Sequence, residues 1–461
     1  MRRTDALLVV ALVSAGFATL PSPAAAQAPA PPPAAPTPAP PPAPPVTVAP
    51  PTTPPGAEEF SMDRAVAIAM QRSRDVVAAK LEIEAAEVDR IAAGLYWNPN
   101  FFYNVGNIVV GAGNPQGDNH VDPGPFSQLI QQVGVSEVID VWAKRSARIK
   151  AADLGVEQRR LRVEDAMREI AYAVRSAFSD VVREQMELEL SLTMKSRYDD
   201  TVKLSRARVS AGESSEFEGQ KIELEGMKYG NLVIDAQMQL DLARQGLAQL
   251  MGLPSAKDLP GVAAAPPAPR TPVQVEPLVA RALQERPDLR AARKGKVFAD
   301  AMIASAEREA YPDISLGVTF THSGFTVSGD NANGLGLGVS LPLPVFDRNQ
   351  AGIARSRLEE KRVVNDVARL ELIVRHDVTG AARREERAHT LLDIYENGGL
   401  LARADNSLKT AEKSYRAGAV SLLELLEAQR TFIETRGQYL RVQDEHRKAK
   451  IDVVHAVGRE P

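Results

Sequence analysis

The sequence predicts a mainly α-helical fold with a small β part, in which long antiparallel coiled-coil helices are joined to four short strands. Three observations predict it. The chain repeats itself once, each half contains long stretches with helical periodicity, and each half contains two short stretches in which apolar residues alternate with small or polar ones. Each half is therefore expected to run helix, strand, loop, strand, long helix, turn, long helix.

The repeat relates two segments of about equal length. Shifting the segment that begins at Val66 by 213 positions places it on the segment that begins at Val279 without a gap. Near the end of each half, a shift of 206 carries Ala211 and Gly212 onto Ala417 and Gly418. The change in shift locates insertions in loops. We predict a first repeat over 58–252, a Pro-rich linker over 253–277 and a second repeat over 278–458.

Strands are predicted at about 99–110 and 128–140 in the first repeat, and at about 312–323 and 334–343 in the second. One apolar face opposite a small or polar face suits a wall between lipid and a wet lumen. The alternative is an ordinary soluble sheet with one buried face. Four strands cannot close a barrel and open sheet edges cannot exist in hydrocarbon, so a membrane wall would need strands from several chains.

The helices carry the stronger signal. The stretches 143–208 and 350–413 contain no proline and little interruption, and each would extend roughly 100 Å as a straight helix. The returning helices carry apolar positions at alternating steps of three and four, which predicts left-handed coiled-coil packing. His446 lies in this seam and is expected to be a hydrogen-bonded packing residue rather than a ligand. Gly226 indicates either a close helix contact or a tolerated defect.

Composition excludes several classes of protein. The chain has no cysteine, and its formal charge of −4 with a pI near 6.0 offers no basic surface for nucleic acid. The six histidines do not form a metal-ligand pair, and no nucleophile elbow, P-loop or HExxH motif is present. No catalytic residue, cofactor or metal site is therefore expected.

The N-terminus predicts export. Arg2 and Arg3 precede a short apolar run and three alanines at 24–26, which together read as a signal peptide over 1–26. Residues 27–57 are dominated by Pro and Ala and predict a polyproline-II-like tether. The tether is expected to act as a spacer, or else as a segment that binds the cell wall or a partner.

With this organisation, residues 58–458 resemble the TolC family of outer-membrane efflux channels. The most specific motif is LPLPVFDRNQ over 341–350, which looks closest to the outer-membrane components of heavy-metal efflux systems of the cobalt–zinc–cadmium type. It lies where a strand ends and a long helix begins, with Asp347 or Asn349 placed to cap the helix. The resemblance implies a barrel-to-helix corner formed by Trp142, Phe346, Asp347, Arg348 and Asn349.

The same resemblance implies the assembly. Three copies would join four strands each into a twelve-stranded transmembrane β-barrel, and their coiled-coil helices would form an α-barrel below it. The protein would lie in the outer membrane of a Gram-negative bacterium with a large periplasmic part. Many relatives are anchored by a lipidated cysteine, and this chain has no cysteine to carry one.

A second motif, YRAGAVSLLELLEAQ over 415–429, predicts a helical turn. Gly418 is expected to end one helix and Ser421 to cap the next. In the family such turns, here about 208–218 and 414–424, form the periplasmic tip and meet a periplasmic adaptor protein. The implied contact residues are Ala211, Gly212, Ser215, Phe217, Arg416, Ala417, Gly418, Ser421 and Leu422.

Acidic residues follow both turns. The family narrows its duct near this point, and the matching residues are Glu424, Glu427 and Glu218, with Lys221 close behind Glu218. A ring of carboxylates would favour cations and repel anions. The alternative is that these glutamates lie on a solvated outer face.

The resemblance implies a passive exit duct for heavy-metal cations delivered by an inner-membrane pump of the resistance–nodulation–division type and a periplasmic adaptor. One alternative keeps the channel and changes the cargo to drugs or to secreted protein by the type I route. Another is a periplasmic coiled-coil adaptor or scaffold, although adaptors usually have one helical hairpin and this chain has two.

Overall fold

The strands form one antiparallel sheet and the helices form long hairpins beside it. A computed structural model describes residues 60–108, 126, 129–212, 214–262, 274–324 and 331–458. The predicted signal peptide over 1–26 and the tether over 27–57 lie outside the described residues. No helix of the described ranges is long and apolar enough to cross a membrane.

The element order follows the repeat. The first half contains α1 (Met62–Arg72), α2 (Arg74–Gly94), β1 (Asn100–Gly106), β2 (Ile130–Ile139), α3 (Lys144–Ser210) and α4 (Glu216–Leu250). The second half contains α5 (Val275–Glu285), α6 (Pro287–Glu309), β3 (Ile314–Ser323), β4 (Asn333–Ser340), α7 (Gln350–Glu396), α8 (Leu400–Arg416) and α9 (Leu422–Val457). α3 has 67 residues and is therefore about 100 Å long.

The sheet has the order β1-β2-β3-β4 and all its pairs are antiparallel. The register places Phe101, Val135, Val318 and Leu337 in one row across the four strands, and this apolar face is exposed. On the opposite face, β3 and β4 carry glycines, serines and threonines, whereas β1 and β2 also place Phe102 and Gln132 there. β1 and β4 each leave one edge unpaired within the described chain, so the sheet is open on both sides.

The repeat is visible in the backbone. Three pairs of residues with positive φ are each separated by 206 positions: Ala143 and Asn349 (55° and 57°), Gly212 and Gly418 (77° and 74°), and Gly252 and Gly458 (69° and 92°). In each half, the helical segment before the two strands is interrupted by one residue. This residue is Ser73 between α1 and α2 and Arg286 between α5 and α6; both have a φ of −57°, and they lie 213 positions apart. Pro287 explains the second division because it disfavours helical backbone at the preceding residue.

One helix differs from the prediction. The stretch 350–413 was predicted with little interruption, but the helix ends at Glu396 and α8 begins at Leu400. Two adjacent glycines lie in the gap, and Gly399 adopts a left-handed φ of 71°. The break is not an insertion relative to the first half, since α7 and α8 together span the same length of sequence as α3. The first half therefore has a continuous helix where the second half has a break.

The buried core is divided among four clusters along the helices. At the end near the linker, Phe60 packs with Leu259 and Val262 of the linker against α3 and α4, and an equivalent cluster joins α5, α7 and α9. A third cluster lies between α3, α4, α8 and α9 near their turns, and a fourth joins α7 and α9. Gly226 faces Val202 of α3, but a Cβ there would meet a Val202 methyl group at 3.4 Å, an ordinary van der Waals distance, so the packing of these helices does not require glycine.

Candidate functional site

The two helical turns are built alike. In the α8–α9 turn, Gly418 donates its N–H to the carbonyl of Tyr415 at 3.0 Å and Ala419 donates to Ser414 at 2.9 Å, which satisfies carbonyls at the end of α8. In the α3–α4 turn, Gly212 donates to the carbonyl of Val209 at 3.0 Å. Each turn therefore relies on one glycine at a left-handed position.

The two turns lie side by side and are joined by Arg208. Its Nη1 donates to the carbonyl of Tyr415 at 3.2 Å, and its guanidinium lies 5.0 Å from the centre of the Tyr415 ring. Beneath this contact, Tyr198 stacks on Tyr229 with ring centres 4.0 Å apart, and burial raises the pKa of Tyr198. The turns thus form one surface over a common apolar core.

Most of the predicted contact residues lie on that surface, and one does not. Phe217 is 74% exposed, which is unusual for a phenylalanine, and Arg416 and Ala417 are also exposed. Leu422 was predicted as a contact residue, but it is only 4% exposed and packs in the core of the tip. Leu423 is 62% exposed and takes the outer position, because one step along a helix turns a side chain by about 100°.

The three predicted aperture glutamates have different environments. Glu424 accepts the N–H of Ser421 at 2.8 Å while Ser421 accepts the N–H of Glu424, which is a capping box. Glu218 accepts a hydrogen bond from Ser214. Glu427 is exposed and makes no polar contact with a described residue. Glu427 is therefore the one of the three whose carboxylate is not engaged by a neighbouring group of the described chain.

The corner of the first half is held by side chains that connect the segment after β2 to the segment before β3. Trp142 donates its indole N–H to the carbonyl of Pro312 at 3.0 Å and stacks on Tyr311. Lys144, 7% exposed, binds the carboxylate of Asp313 at 2.7 Å. The sequence reasoning missed Asp140, whose two carboxylate oxygens accept the first backbone N–H groups of α3 at 2.8 Å.

The corner of the second half corrects the predicted cap. Asn349 occupies the N-cap position, but its side chain makes no capping hydrogen bond. Its Nδ2 donates instead to the carbonyl of Ala306 at 2.8 Å, which ties α7 to α6. Asp347 accepts the N–H of Asn349 at 2.8 Å and also does not reach the helix. Arg348 donates its side chain to the carbonyl of Pro344, and Phe346 is almost fully exposed.

A buried ionic network joins α3 to α9, and it was not predicted. Asp444 is 5% exposed and accepts a hydrogen bond from Ser179 Oγ at 2.8 Å. Lys448 lies 3.1 Å from the same carboxylate, Arg447 3.6 Å and Arg183 3.7 Å. Burial lowers the pKa of Arg447 despite its acidic neighbour. In the sequence, Asp444, Arg447 and Lys448 have the i, i+3 and i+4 spacing that is typical of a solvent-exposed charged helix face. The sequence pattern therefore gave no indication that this network is buried.

His446 is a buried packing residue between α7 and α9. It is 4% exposed, and its Nε2 lies 3.8 Å from the carboxylate of Glu385. The ring of His389 lies edge-on at 6.2 Å between centres. Within the described ranges, no group of three His, Cys, Asp or Glu side chains is arranged to hold a metal ion.

A second ionic cluster surrounds the division between α5 and α6. Arg286 is 4% exposed and binds Asp288 at 2.7 Å, Asp377 at 3.2 Å and the carbonyl of Ala456 at 3.3 Å. Burial opposes ionisation of Asp288, but the hydrogen bonds and charge of Arg286 outweigh it and hold the pKa of Asp288 below its ordinary value. The cluster fixes the end of α9 against the start of α6.

The structure combines an exposed apolar sheet with open edges and helical hairpins about 100 Å long that end in paired turns. This combination defines the class of protein: a subunit of an outer-membrane duct. The chain belongs to the outer membrane efflux protein family, whose model it matches over residues 65–253 and 278–459. Members of this family work in tripartite efflux systems and are trimeric in their structures.

Individual proteins agree with this assignment. The chain is 26% identical over 416 residues to the pyoverdine export outer membrane protein OpmQ of Pseudomonas putida, covering 86% of this chain and 85% of the relative. It is 24% identical over 323 residues to the cobalt-zinc-cadmium resistance protein CzcC of Cupriavidus metallidurans, covering 70% and 75%. Its fold is similar to that of the outer membrane protein VceC of Vibrio cholerae, with a TM-score of 0.66, 17% identity and coverage of 86% and 96%.

Proposed function

We propose that this outer-membrane efflux channel works as a homotrimer, as the passive exit duct for heavy-metal cations that an inner-membrane pump and a periplasmic adaptor deliver. The observation that carries the proposal is the sheet: its apolar face is exposed and both of its edges are open. The exposed apolar face suits contact with lipid, but the open edges are not stable there for one chain alone, since unpaired backbone groups cost several kcal/mol each in hydrocarbon. Three sheets joined edge to edge would pair every strand.

The adaptor is proposed to bind the paired turns. The exposed residues of the paired turns include Phe217 together with Ala211, Gly212, Ser215, Arg416 and Gly418. An exposed aromatic side chain with small neighbours suits insertion between two helices of a partner hairpin. The division of the tip into two similar turns would offer two similar binding positions per chain.

The cargo is proposed to be metal cations because Glu427 leaves a free carboxylate near the tip, and three copies would place several such charges around one axis. The similarity to a cobalt-zinc-cadmium resistance protein agrees with this. A second candidate is an organic molecule, which the higher identity to a pyoverdine export protein favours. The duct itself is proposed to have no enzymatic activity, and energy would come from the pump.

A deletion strain and a reconstituted channel test the proposal. Loss of the gene is expected to raise sensitivity to cobalt, zinc and cadmium more than to a panel of drugs and siderophores. In planar bilayers the purified protein is expected to conduct ions, and Glu427→Gln should reduce the preference for cations. Glu424→Gln is the matched control, because its carboxylate is committed to the capping box. Absence of conductance would reject the duct, and drug sensitivity alone would reject the metal cargo.

A further inference from the structure

A groove of about 780 Å³ runs along the helical wall close to the sheet. Residues of α2, α3, α6 and α7 all line it. These helices pack side by side in that order, and within the described part of the chain α2 does not pack along α7. Four helices in a row can share one groove only on the concave side of the wall. In the trimer proposed above, the concave side faces the duct.

Arginines dominate the charged lining of this groove. Arg148, Arg159 and Arg162 lie on α3, and Arg355 lies on α7. Arg148 and Arg159 are 11 residues apart, which is about three helical turns, and Arg162 follows Arg159 by a little less than one turn. The three arginines of α3 therefore lie on one face of the helix, and the fourth approaches the groove from another helix.

Two of the four arginines are paired within the chain. Arg159 lies 3.2 Å from the carboxylate of Glu82 on α2. Arg148 lies 3.7 Å from the carboxylate of Glu309 on α6, and its guanidinium is 5.8 Å from the centre of the Trp97 ring. These two arginines help to hold α3 against its neighbours and have less charge to offer a ligand.

The other two arginines have no such partner. Within the described ranges, Arg162 and Arg355 form no salt bridge, and the remaining carboxylate of the groove is Asp89 on α2. Burial and the neighbouring charge of Arg159 lower the pKa of Arg162, against a weaker opposing effect of Glu82. An added anion would stabilise a guanidinium whose surroundings disfavour its charge. The groove therefore has positive charge in excess.

The floor of the groove is made of small and apolar side chains. Ala151, Ala152 and Gly155 of α3 present nothing larger than a methyl group, and Phe298 and Met302 of α6 lie beside them. A Cβ at Gly155 would lie 3.4 Å from the ring of Phe298. Apolar walls with a few polar groups are typical of sites for organic molecules. The floor thus suits the carbon body of a ligand rather than a bare inorganic ion.

We propose that this groove binds organic anions that carry carboxylate groups, and that Arg162 and Arg355 hold those groups. The planar guanidinium matches the two oxygens of a carboxylate. Binding is weak because both arginines are exposed to water, and weak binding allows a molecule in transit to leave again. The inference rests on the exit duct proposed above and names the chemical class of its second candidate cargo.

Phthalate, a benzene ring with two carboxylates, is the probe, and its neutral diamide is the control ligand. Saturation-transfer NMR on the purified full chain in detergent measures both, and only phthalate is expected to bind. Arg162→Gln and Arg355→Gln should each weaken phthalate binding about fivefold, since a partly exposed ion pair contributes little more than this. Arg160→Gln is the matched control, because Arg160 pairs with Glu87 at 3.1 Å outside the groove, and it should bind phthalate like the parent.

A second variant tests the place without removing an arginine. Ala152→Glu adds a carboxylate to the floor of the groove and should weaken phthalate binding about as much as Arg162→Gln. Arg162→Lys keeps the charge but not the planar fork, and should bind more tightly than Arg162→Gln. Unchanged binding in the variant that combines Arg162→Gln with Arg355→Gln overturns the inference, and so does an equal loss in Arg160→Gln.

Conductance in planar bilayers separates this inference from the duct itself. In a conducting channel, phthalate is expected to reduce the current in the parent and to reduce it less in the Arg162→Gln and Arg355→Gln variants. A protein that conducts ions but does not bind phthalate keeps the duct and rejects the anion site. A protein that binds phthalate through these arginines but conducts nothing keeps the site and rejects the duct, and the role of the anion as cargo falls with it.

Discussion

Replacing Asp444 by alanine tests how much the network between α3 and α9 stabilises the helical wall. The carboxylate is 5% exposed, accepts a hydrogen bond from Ser179 at 2.8 Å and lies 3.1 Å from Lys448. Its loss leaves Arg447 and Arg183 near each other without their shared anion. Removing one partner of a buried pair costs about 3–5 kcal/mol. The basic side chains are partly exposed and screened by water, so we expect a loss of about 2–3 kcal/mol in unfolding free energy.

The assay is urea-induced loss of the far-ultraviolet circular dichroism signal of the protein in detergent. Glu445→Ala is the matched control, because Glu445 is the next residue and also forms an ion pair, 2.9 Å from Arg387, but on an exposed surface. The control is expected to cost less than about 1 kcal/mol. Equal losses for the two variants would refute the reasoning, since burial of the carboxylate would then contribute nothing.

Three further predictions use the same measurement. Gly212→Ala should lower the unfolding free energy by about 1–2 kcal/mol, the cost of a left-handed backbone for alanine. Gly252→Ala should lower it by more, because a Cβ at Gly252 would also overlap the carbonyl of Arg72. Equal losses for the two variants would contradict this. Asp288→Asn should lower the unfolding free energy at neutral pH, and its difference from the parent should shrink as the pH falls below 3.8. The reason is that a carboxylate with a lowered pKa stabilises the fold above its ordinary pKa and loses that stabilisation in acid. A difference that does not change with pH would contradict this. Ser421→Ala should cost about 1 kcal/mol through loss of the capping box, whereas Ser407→Ala, on the same helical wall but outside any cap, should be nearly neutral.

Much of the fold follows from sequence pattern. The alternation of apolar and polar residues predicts the four strands within a few residues, and the register of the sheet aligns the predicted apolar faces into one surface. The glycines at 212 and 418 mark both turns because only a left-handed residue completes those helix ends. Such features depend on neighbours in sequence, which is the information that a single chain offers.

The remaining features depend on contacts between distant residues. Leu422 is buried and Leu423, one helical position further on, is exposed, and only the packing of the tip decides which of the two faces outwards. Asn349 looks like a capping residue, but the carbonyl of Ala306 competes for its side chain from another helix. The pairing of Arg208 with Tyr415 links residues 207 positions apart, so no local pattern could indicate it.

The break between α7 and α8 makes the two repeats mechanically unequal. Bending α3 at the matching level would disrupt intact backbone hydrogen bonds, whereas at Gly398 and Gly399 the ladder is already interrupted. In the proposed trimer, the continuous helix α3 and the interrupted helix pair α7 and α8 would alternate around the ring. Any widening at the paired turns would then bend the three copies of the α7–α8 break, and the part of the ring on the other side of the breaks would keep its diameter.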